Sequence, residues 1–214
     1  MAVAPDGSPV ELYSRLSPRG EAELVHAVIP PGAEILELGC GVGRVTHELV
    51  RLGHPVVAVD ESPEMLERVR GAVTVCSRIE GLNLGRRFPC VLLMSNLVNA
   101  DDERDAFLAA CARHLTPDGV VLIERHEPNW RPEEDAPKPL GDVLVSLTNI
   151  RIEPPYVSGV VLYRLEHRVW RHAFRARLLD DEELRSVLAR TGLELVRSLD
   201  EPGRWMTARL YSSA

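Results

Sequence analysis

Three glycines at alternate positions, Gly39, Gly41 and Gly43, directly follow the apolar segment Glu34–Leu38. Glycine has no Cβ atom, so its backbone can adopt positive φ angles and approach a ligand closely. A helix is predicted over Val42–Leu52, and the start of a helix presents backbone N–H groups that have no partner within the helix. This segment therefore predicts a loop that binds a polar or charged ligand.

The spacing of these glycines disfavours a dinucleotide site. The dinucleotide fingerprint is Gly-x-Gly-x-x-Gly, in which the third glycine lets the helix pack closely on the strand. Here Arg44 stands at that third position, and Gly43 comes one residue early. The acidic residue Glu37 also precedes the first glycine by two positions, which suits a ligand with a cationic amine better than a pyrophosphate. A nicotinamide-dependent oxidoreductase is therefore disfavoured.

The segment Ile35–Arg44 (ILELGCGVGR) resembles motif I of the class I S-adenosylmethionine-dependent methyltransferases. The similarity continues in the family's order through Ala58–Ser62 to Pro117–Glu124, over about the first 130 residues. The resemblance implies S-adenosylmethionine as the cofactor and S-adenosylhomocysteine as the product. It also implies an α/β, Rossmann-like fold with a seven-stranded doubly wound sheet in the order 3-2-1-4-5-7-6, in which strand 7 is antiparallel.

The same resemblance implies which residues contact the cofactor. Asp60, at the end of the second strand, would accept hydrogen bonds from both ribose hydroxyls, because a carboxylate offers two acceptor oxygens. Met65 would lie against the adenine ring. Glu37 and the backbone of the glycine loop would hold the methionine portion. The full set of cofactor-binding residues predicted in this way is Glu37, Gly39, Cys40, Gly41, Gly43, Asp60, Glu61, Met65, Arg78, Ile79, Ser95, Asn96 and Leu97.

The segment after the fourth strand bears on the methyl acceptor. Family members that methylate nucleic-acid amines carry (Asp/Asn/Ser)-Pro-Pro-(Tyr/Phe) at this point, whereas this chain has Ser95–Asn99 (SNLVN). The similar segment Glu153–Tyr156 (EPPY) lies much later and is predicted to be a turn. The net charge is -7, and no dense block of Lys and Arg is present to neutralise phosphates. Nucleic acid is therefore disfavoured, and a small-molecule acceptor is predicted.

Transfer of a methyl group from a sulfonium requires an aligned acceptor, and a hydroxyl or ammonium acceptor must also lose a proton. Histidine titrates near neutral pH, so His126, after the fifth strand, is the predicted base. The alternative, a surface histidine at the mouth of a loop, stays open, and Asn96, Asn99 and Glu124 are further candidates near the strand ends. His167 and His172 lie on the later β segments, where they could face the substrate, but a solvated sheet face is predicted for them. No spacing of His, Cys and carboxylates suggests a metal site.

The pattern of apolar and polar residues differs between two parts of the chain, and it predicts the helices and strands that position these residues. As far as Glu127, short apolar segments alternate with amphipathic ones, which is typical of a parallel, doubly wound sheet. Beyond it, an irregular loop is predicted over Pro128–Leu140, followed by an antiparallel β segment. A change of side-chain alternation near Glu166–Trp170 predicts a bulge or a turn there. Besides Val42–Leu52, helices are predicted after the cap residue Ser62, over Asp101–Leu115 and from Asp180 to Arg190. The predicted strands are Glu34–Leu38, Pro55–Val59, Ala72–Cys76, Phe88–Met94, Val120–Glu124, Val143–Ile152, Val157–Glu166, His167–Leu178, Leu193–Leu199 and Trp205–Tyr211.

The length of 214 residues fits one domain. Within it, residues 1–32 are predicted to form an N-terminal lid, 33–127 the cofactor-binding half and 128–214 the substrate-side loop and antiparallel strands. The four cysteines form no C-x-x-C pair, the N-terminus is polar, and no apolar stretch approaches the roughly 20 residues that span a bilayer. These features predict a cytoplasmic protein without membrane contact.

The predicted activity is methyl transfer to an oxygen or nitrogen of a small-molecule metabolite in a biosynthetic pathway, by a monomer or homodimer. Two alternatives stay open. One is methylation of RNA or protein, and the other is a catalytically silent partner protein that binds S-adenosylmethionine.

Overall fold

The computed structural model describes Ala4, Gly7 and residues 9–211, and a seven-stranded sheet forms its centre. The strands are β1 (Ile35–Leu38), β2 (Val56–Asp60), β3 (Val73–Cys76), β4 (Phe88–Leu93), β5 (Leu115–Glu124), β10 (Leu193–Ser198) and β11 (Trp205–Leu210). They lie in the order β10-β11-β5-β4-β1-β2-β3. Neighbours are parallel except that β11 is antiparallel to both β5 and β10. This confirms the predicted order, because the last strand of the chain inserts beside β5.

Helices cover both faces of this sheet, as strands with apolar side chains on both faces require. Val25 and Leu49 belong to the apolar cluster on one face, and Leu108 and Leu188 belong to the cluster on the other. A short 3₁₀ helix, Leu97–Asn99, follows β4. The α-helices are α1 (Val10–Tyr13), α2 (Glu21–Val28), α3 (Thr46–Arg51), α4 (Pro63–Leu66), α5 (Arg104–His114) and α6 (Asp181–Arg190).

Two helices begin later than the pattern predicts. Helix α3 begins at Thr46, not Val42, because Gly41 and Gly43 have φ angles of 56° and 83° and turn the chain before the helix starts. Helix α5 begins at Arg104, not Asp101. Before α5, the acidic residues Asp101–Glu103 suit the first turn of a helix but lie in a turn. In both places the loop after the preceding element is longer than the sequence pattern predicts.

A second, four-stranded antiparallel sheet, here called the cap sheet, has the order β6-β7-β8-β9. Its strands are β6 (Lys138–Leu140), β7 (Val143–Glu153), β8 (Tyr156–Leu165) and β9 (Arg168–Arg177). The prediction of an irregular loop was wrong for β6, since Pro139 is compatible with an edge strand. The predicted turns are confirmed at Pro154–Pro155 and at Glu166, which has a left-handed φ of 53°. No helix in the described part of the chain is long and apolar enough to cross a membrane.

Arg125, directly after β5, is fully buried and ties the β10–β11 turn to the start of α6. Its Nε donates to the carbonyl of Gly203 at 2.7 Å, and its Nη1 donates to the carbonyl of Leu179 at 3.0 Å. Its Nη2 pairs with the Asp181 carboxylate. One guanidinium therefore satisfies three acceptors from two segments that are distant in the chain.

Replacing Arg125 with methionine is expected to lower the free energy of unfolding by about 2 kcal/mol, because buried acceptors lose their donor. Urea denaturation measures the change. Arg190→Met is the matched control, since Arg190 pairs with Asp105 where both side chains are 53% exposed, and such pairs contribute about 0 to 1 kcal/mol. Equal effects of the two substitutions would contradict the structural role of Arg125.

Candidate cofactor and active site

Two cavities adjoin at the carboxyl ends of β1, β2 and β4. The first has a volume of about 470 Å³ and the second about 290 Å³. Tyr13, Gly39, Gly41 and Ser95 line both of them. This edge of an open, doubly wound sheet is where ligands of such folds bind. The two cavities therefore form one composite cleft over the glycine loop.

The first cavity contains the residues predicted to surround the adenosine. Met65 and Ile79 are 3% and 8% exposed, so they give part of the wall an apolar surface. The structure also brings in side chains that were not predicted, from the segment after β3, from the start of α5 and from the cap sheet. The predicted residues that line this cavity are Gly39, Gly41, Asp60, Glu61, Met65, Arg78, Ile79, Ser95 and Leu97, and the added ones include Glu80, Glu103, Phe107 and His172.

Asp60 fixes the glycine loop and faces the first cavity. Its Oδ2 accepts from the backbone N–H of Gly41 at 2.8 Å, and its Oδ1 accepts from the N–H of Ser62 at 2.9 Å. Each carboxylate oxygen can accept a further hydrogen bond. The Asp60 carboxylate can therefore hold the loop and bind a diol at the same time.

The glycine loop has left-handed backbone at Gly39, Gly41 and Gly43, with φ angles of 71°, 56° and 83°. A Cβ atom at Gly39 would lie 2.8 Å from Cδ1 of Leu97, so a larger residue would have to displace the Leu97 side chain and would also be strained by the left-handed backbone. Gly43 lines neither cavity, and a Cβ there would lie 3.0 Å from Nε2 of His47. The structure therefore gives Gly43 a packing role, and a contact between its backbone and the cofactor stays a prediction.

Glu37 is 2% exposed and lines the second cavity together with Cys40 and Asn96. Its Oε2 accepts from the Thr46 hydroxyl at 2.5 Å. Burial raises the pKa of Glu37 to about 7, against an ordinary value of 4.5. A cationic ligand beside Glu37 would stabilise its ionised form, because the positive charge offsets the cost of burying the carboxylate.

Two ion pairs from distant segments complete the second cavity. Arg44 pairs with Glu21 of α2 at 2.6 Å. Glu124, at the end of β5, pairs with Arg204 and accepts from the backbone N–H of Ser95 at 2.7 Å. The sequence pattern did not predict Glu21 or Arg204 as site residues, because no motif connects them to the glycine loop. Their place follows from the packing of α2 and of the turn before β11.

The chain after β4 is held in an uncommon conformation. Ser95 and Asn96 both have left-handed φ angles, 56° and 59°, which non-glycine residues adopt at a cost in free energy. The hydrogen bond from Ser95 to Glu124 helps to hold this turn. Among the described residues the buried Oδ1 of Asn96 has no hydrogen-bond partner. The turn therefore presents an amide with unused hydrogen-bonding capacity at the wall of the second cavity.

His126, the predicted base, lines neither cavity. Its ring stacks on Trp130 with the centroids 4.1 Å apart and the planes at 4°. Its backbone N–H donates to the side-chain oxygen of Asn99 at 2.9 Å. Burial and, secondarily, the charge of Arg204 lower the pKa of His126 to about 4. The structure therefore gives no geometric support to His126 as the base.

Comparisons with known proteins show similarity to methyltransferases over about half of the chain. Residues 35–119 match a family model described as a methyltransferase domain. A ubiquinone biosynthesis O-methyltransferase from Bradyrhizobium sp. (strain ORS 278) is 32% identical over 108 residues, which cover 47% of this chain and 42% of that protein. A dTDP-3-amino-3,6-dideoxy-alpha-D-glucopyranose N,N-dimethyltransferase from Streptomyces fradiae is 33% identical over 123 residues, which cover 54% of this chain and 47% of that protein. The chain spans less than half the length of these two relatives.

Solved structures show the same fold over nearly the whole chain. The sugar N-methyltransferase KedS8 from Streptoalloteichus sp. ATCC 53650 superposes with a TM-score of 0.74 at 21% identity, covering 99% of this chain and 95% of that one. The CcbJ methyltransferase from Streptomyces caelestis superposes with a TM-score of 0.72 at 22% identity, covering 92% and 91%. The chain therefore has the fold of the class I S-adenosylmethionine-dependent methyltransferases, and the match to a methyltransferase domain covers its residues 35–119.

Proposed function

We propose that this chain transfers a methyl group from S-adenosylmethionine to an oxygen or nitrogen of a small-molecule metabolite. The observation that carries the proposal is the Asp60 carboxylate, which is anchored to Gly41 and borders a cavity of about 470 Å³. A cavity of this size suits a nucleoside-sized ligand. The match of residues 35–119 to a methyltransferase domain supports the same activity.

The residues of the cleft suit each part of such a cofactor. Asp60 would bind the ribose hydroxyls, and Met65 and Ile79 would pack on the adenine. Glu37 would hold the cationic amine of the methionine portion, beside the loop backbone at Gly39. When bound, the cofactor supplies an electrophilic methyl group on its sulfonium. The protein's contribution is then to position the acceptor and exclude water.

The acceptor is proposed to occupy the part of the cleft that the cap sheet covers. Tyr163 of β8 and Val145 of β7 line the second cavity together with Glu124 and Asn96, and His172 of β9 lines the adjoining first cavity. This wall combines apolar and hydrogen-bonding groups, as sites for small polar metabolites do. The relatives described above are an O-methyltransferase and an amino-sugar N,N-dimethyltransferase, which supports an oxygen or nitrogen acceptor. A place in a biosynthetic pathway, a cytoplasmic location and a monomeric or homodimeric state stay predictions.

Two measurements test the proposed function. Isothermal titration calorimetry is expected to show binding of S-adenosylhomocysteine and no binding of NAD. A screen of metabolites with methyl-labelled S-adenosylmethionine, read by mass spectrometry, is then expected to yield a product that is heavier by one methyl group. Absence of S-adenosylhomocysteine binding would refute the proposal. Binding without transfer to any metabolite would instead indicate a catalytically silent protein.

A further inference from the structure

His172 lies on the inner face of the cap sheet. Side chains alternate along a strand, so His172 and Phe174 of β9 point to the same face. The ring of Phe174 lies 5.9 Å from that of Trp130, in the segment after β5, and His172 itself lines the first cavity. The prediction of a solvated sheet face was therefore wrong for His172, which is half-buried. Strand β9 places an imidazole at the cavity that contains Asp60 and Ser95.

His172 is the only histidine lining either cavity among the described residues. His126 is stacked on Trp130, and the other five histidines are engaged or placed elsewhere. His26 and His54 share a hydrogen bond of 2.9 Å, Nε2 of His47 accepts from the backbone of Arg70, His114 bonds the backbone of Ala110 and Leu84, and His167 is exposed in the turn between β8 and β9. His172 is therefore the histidine that the cap sheet places at the cleft.

We propose, resting on the proposed function, that His172 is the catalytic residue that accepts the proton lost by the substrate during methyl transfer. The lone pair of the acceptor nitrogen or oxygen forms the new bond to the methyl carbon. The bond between sulfur and this carbon breaks, and its electron pair stays on the sulfur of S-adenosylhomocysteine. The acceptor's proton passes to a ring nitrogen of His172 and from there to water.

Histidine suits this role because it exchanges a proton near neutral pH, whereas a base with a pKa of about 4, as His126 has, is a weak proton acceptor there. Other groups on the same cavity wall also titrate or carry charge. A pH profile of the wild type alone therefore does not identify His172, and the profile must change when His172 is replaced. These other groups are Tyr13, Asp60, Glu61, Arg78, Glu80 and Glu103.

The kinetic test compares His172→Gln and His172→Ala with His167→Gln as the matched control. Glutamine can hydrogen-bond the acceptor but cannot take up its proton. With methyl-labelled S-adenosylmethionine and the acceptor found in the metabolite screen, both His172 variants are expected to lose about 100-fold in kcat. The acidic limb of their pH–rate profile should disappear, while the Kd for S-adenosylhomocysteine stays within about twofold. The control should match the wild type.

A chemical test does not depend on the acceptor. Diethyl pyrocarbonate acylates accessible imidazoles, and mass spectrometry locates the modified residue. Saturating S-adenosylhomocysteine is expected to slow modification of His172 several-fold and to leave His167 unchanged, because only His172 borders the cofactor's cavity. Unslowed modification of His172 would overturn its placement.

Two further outcomes would overturn the proposal. A His172→Gln variant that keeps the wild-type kcat from pH 6 to 9 would remove the base role. Joint loss of S-adenosylhomocysteine binding and thermal stability in both variants would indicate a structural role. Failure of the proposed function itself is distinguishable, because in that case the wild-type protein neither binds S-adenosylhomocysteine nor methylates any metabolite.

Discussion

Replacing Asp60 with alanine is expected to weaken the binding of S-adenosylhomocysteine by about 100-fold. The carboxylate accepts from the N–H groups of Gly41 and Ser62, and in the proposed complex it also accepts from the ribose hydroxyls. Hydrogen bonds to a charged group contribute about 1.5 to 3 kcal/mol each. Loss of the carboxylate therefore removes ribose contacts and releases the loop together. Calorimetry at constant pH and ionic strength measures the change.

Two control variants separate these contributions. Asp60→Asn keeps one acceptor oxygen and is expected to lose less affinity than the alanine variant. Asp118→Ala removes an exposed acid in the segment before Gly119, remote from the cleft, and should bind like the wild type. An alanine variant at position 60 with wild-type affinity would exclude Asp60 from the binding site.

Replacing Glu37 with glutamine is expected to stabilise the protein at pH 8 and weaken cofactor binding. Burial raises the pKa of Glu37 to about 7, from an ordinary value of 4.5. Below pH 4.5 the carboxyl group is protonated in both folded and unfolded chains. Between pH 4.5 and about 7 the unfolded chain loses the proton first, so this group destabilises the fold increasingly as the pH rises. Glutamine can still accept from Thr46 and does not titrate.

The size of this effect follows from the two pKa values. At about 1.4 kcal/mol per pH unit, the gap corresponds to about 3 kcal/mol. Urea denaturation of Glu37→Gln should therefore show a free energy of unfolding about 3 kcal/mol above wild type at pH 8, and a small difference at pH 4.5. The exposed Glu133→Gln is the control. No gain in stability at pH 8 would contradict the raised pKa.

The same substitution separates stability from binding. The cationic amine of S-adenosylhomocysteine should favour ionised Glu37, so wild-type affinity is expected to fall as the pH drops below about 7. In Glu37→Gln, the affinity should be lower at pH 8 and should lose this pH dependence. Unchanged affinity in the variant would place the amine elsewhere. Lower affinity together with higher stability in the variant would instead show that Glu37 is retained for binding at a cost in stability.

Local chemistry made much of the cofactor side of the cleft predictable from sequence alone. Gly39 and Gly41 stand where a strand must turn sharply into a helix, and only glycine adopts the required positive φ angles easily. Asp60 ends the next parallel strand, so its carboxylate had to lie at the same edge of the sheet. The alternation of apolar and amphipathic segments predicted a parallel, doubly wound sheet, whereas the exact strand order came from the resemblance of Ile35–Arg44 to the class I methyltransferases.

The acceptor side was decided by tertiary structure. Alternation along β9 indicates that His172 and Phe174 share a face, but it does not indicate which face is covered. Only the packing of the cap sheet over the carboxyl edge directs His172 to the cavity, while Trp130 holds His126 away from it. The pairing of Glu124 with Arg204 likewise joins residues far apart in the chain. The reason is physical: a short motif fixes backbone geometry locally, whereas burial and long-range register depend on how distant segments pack.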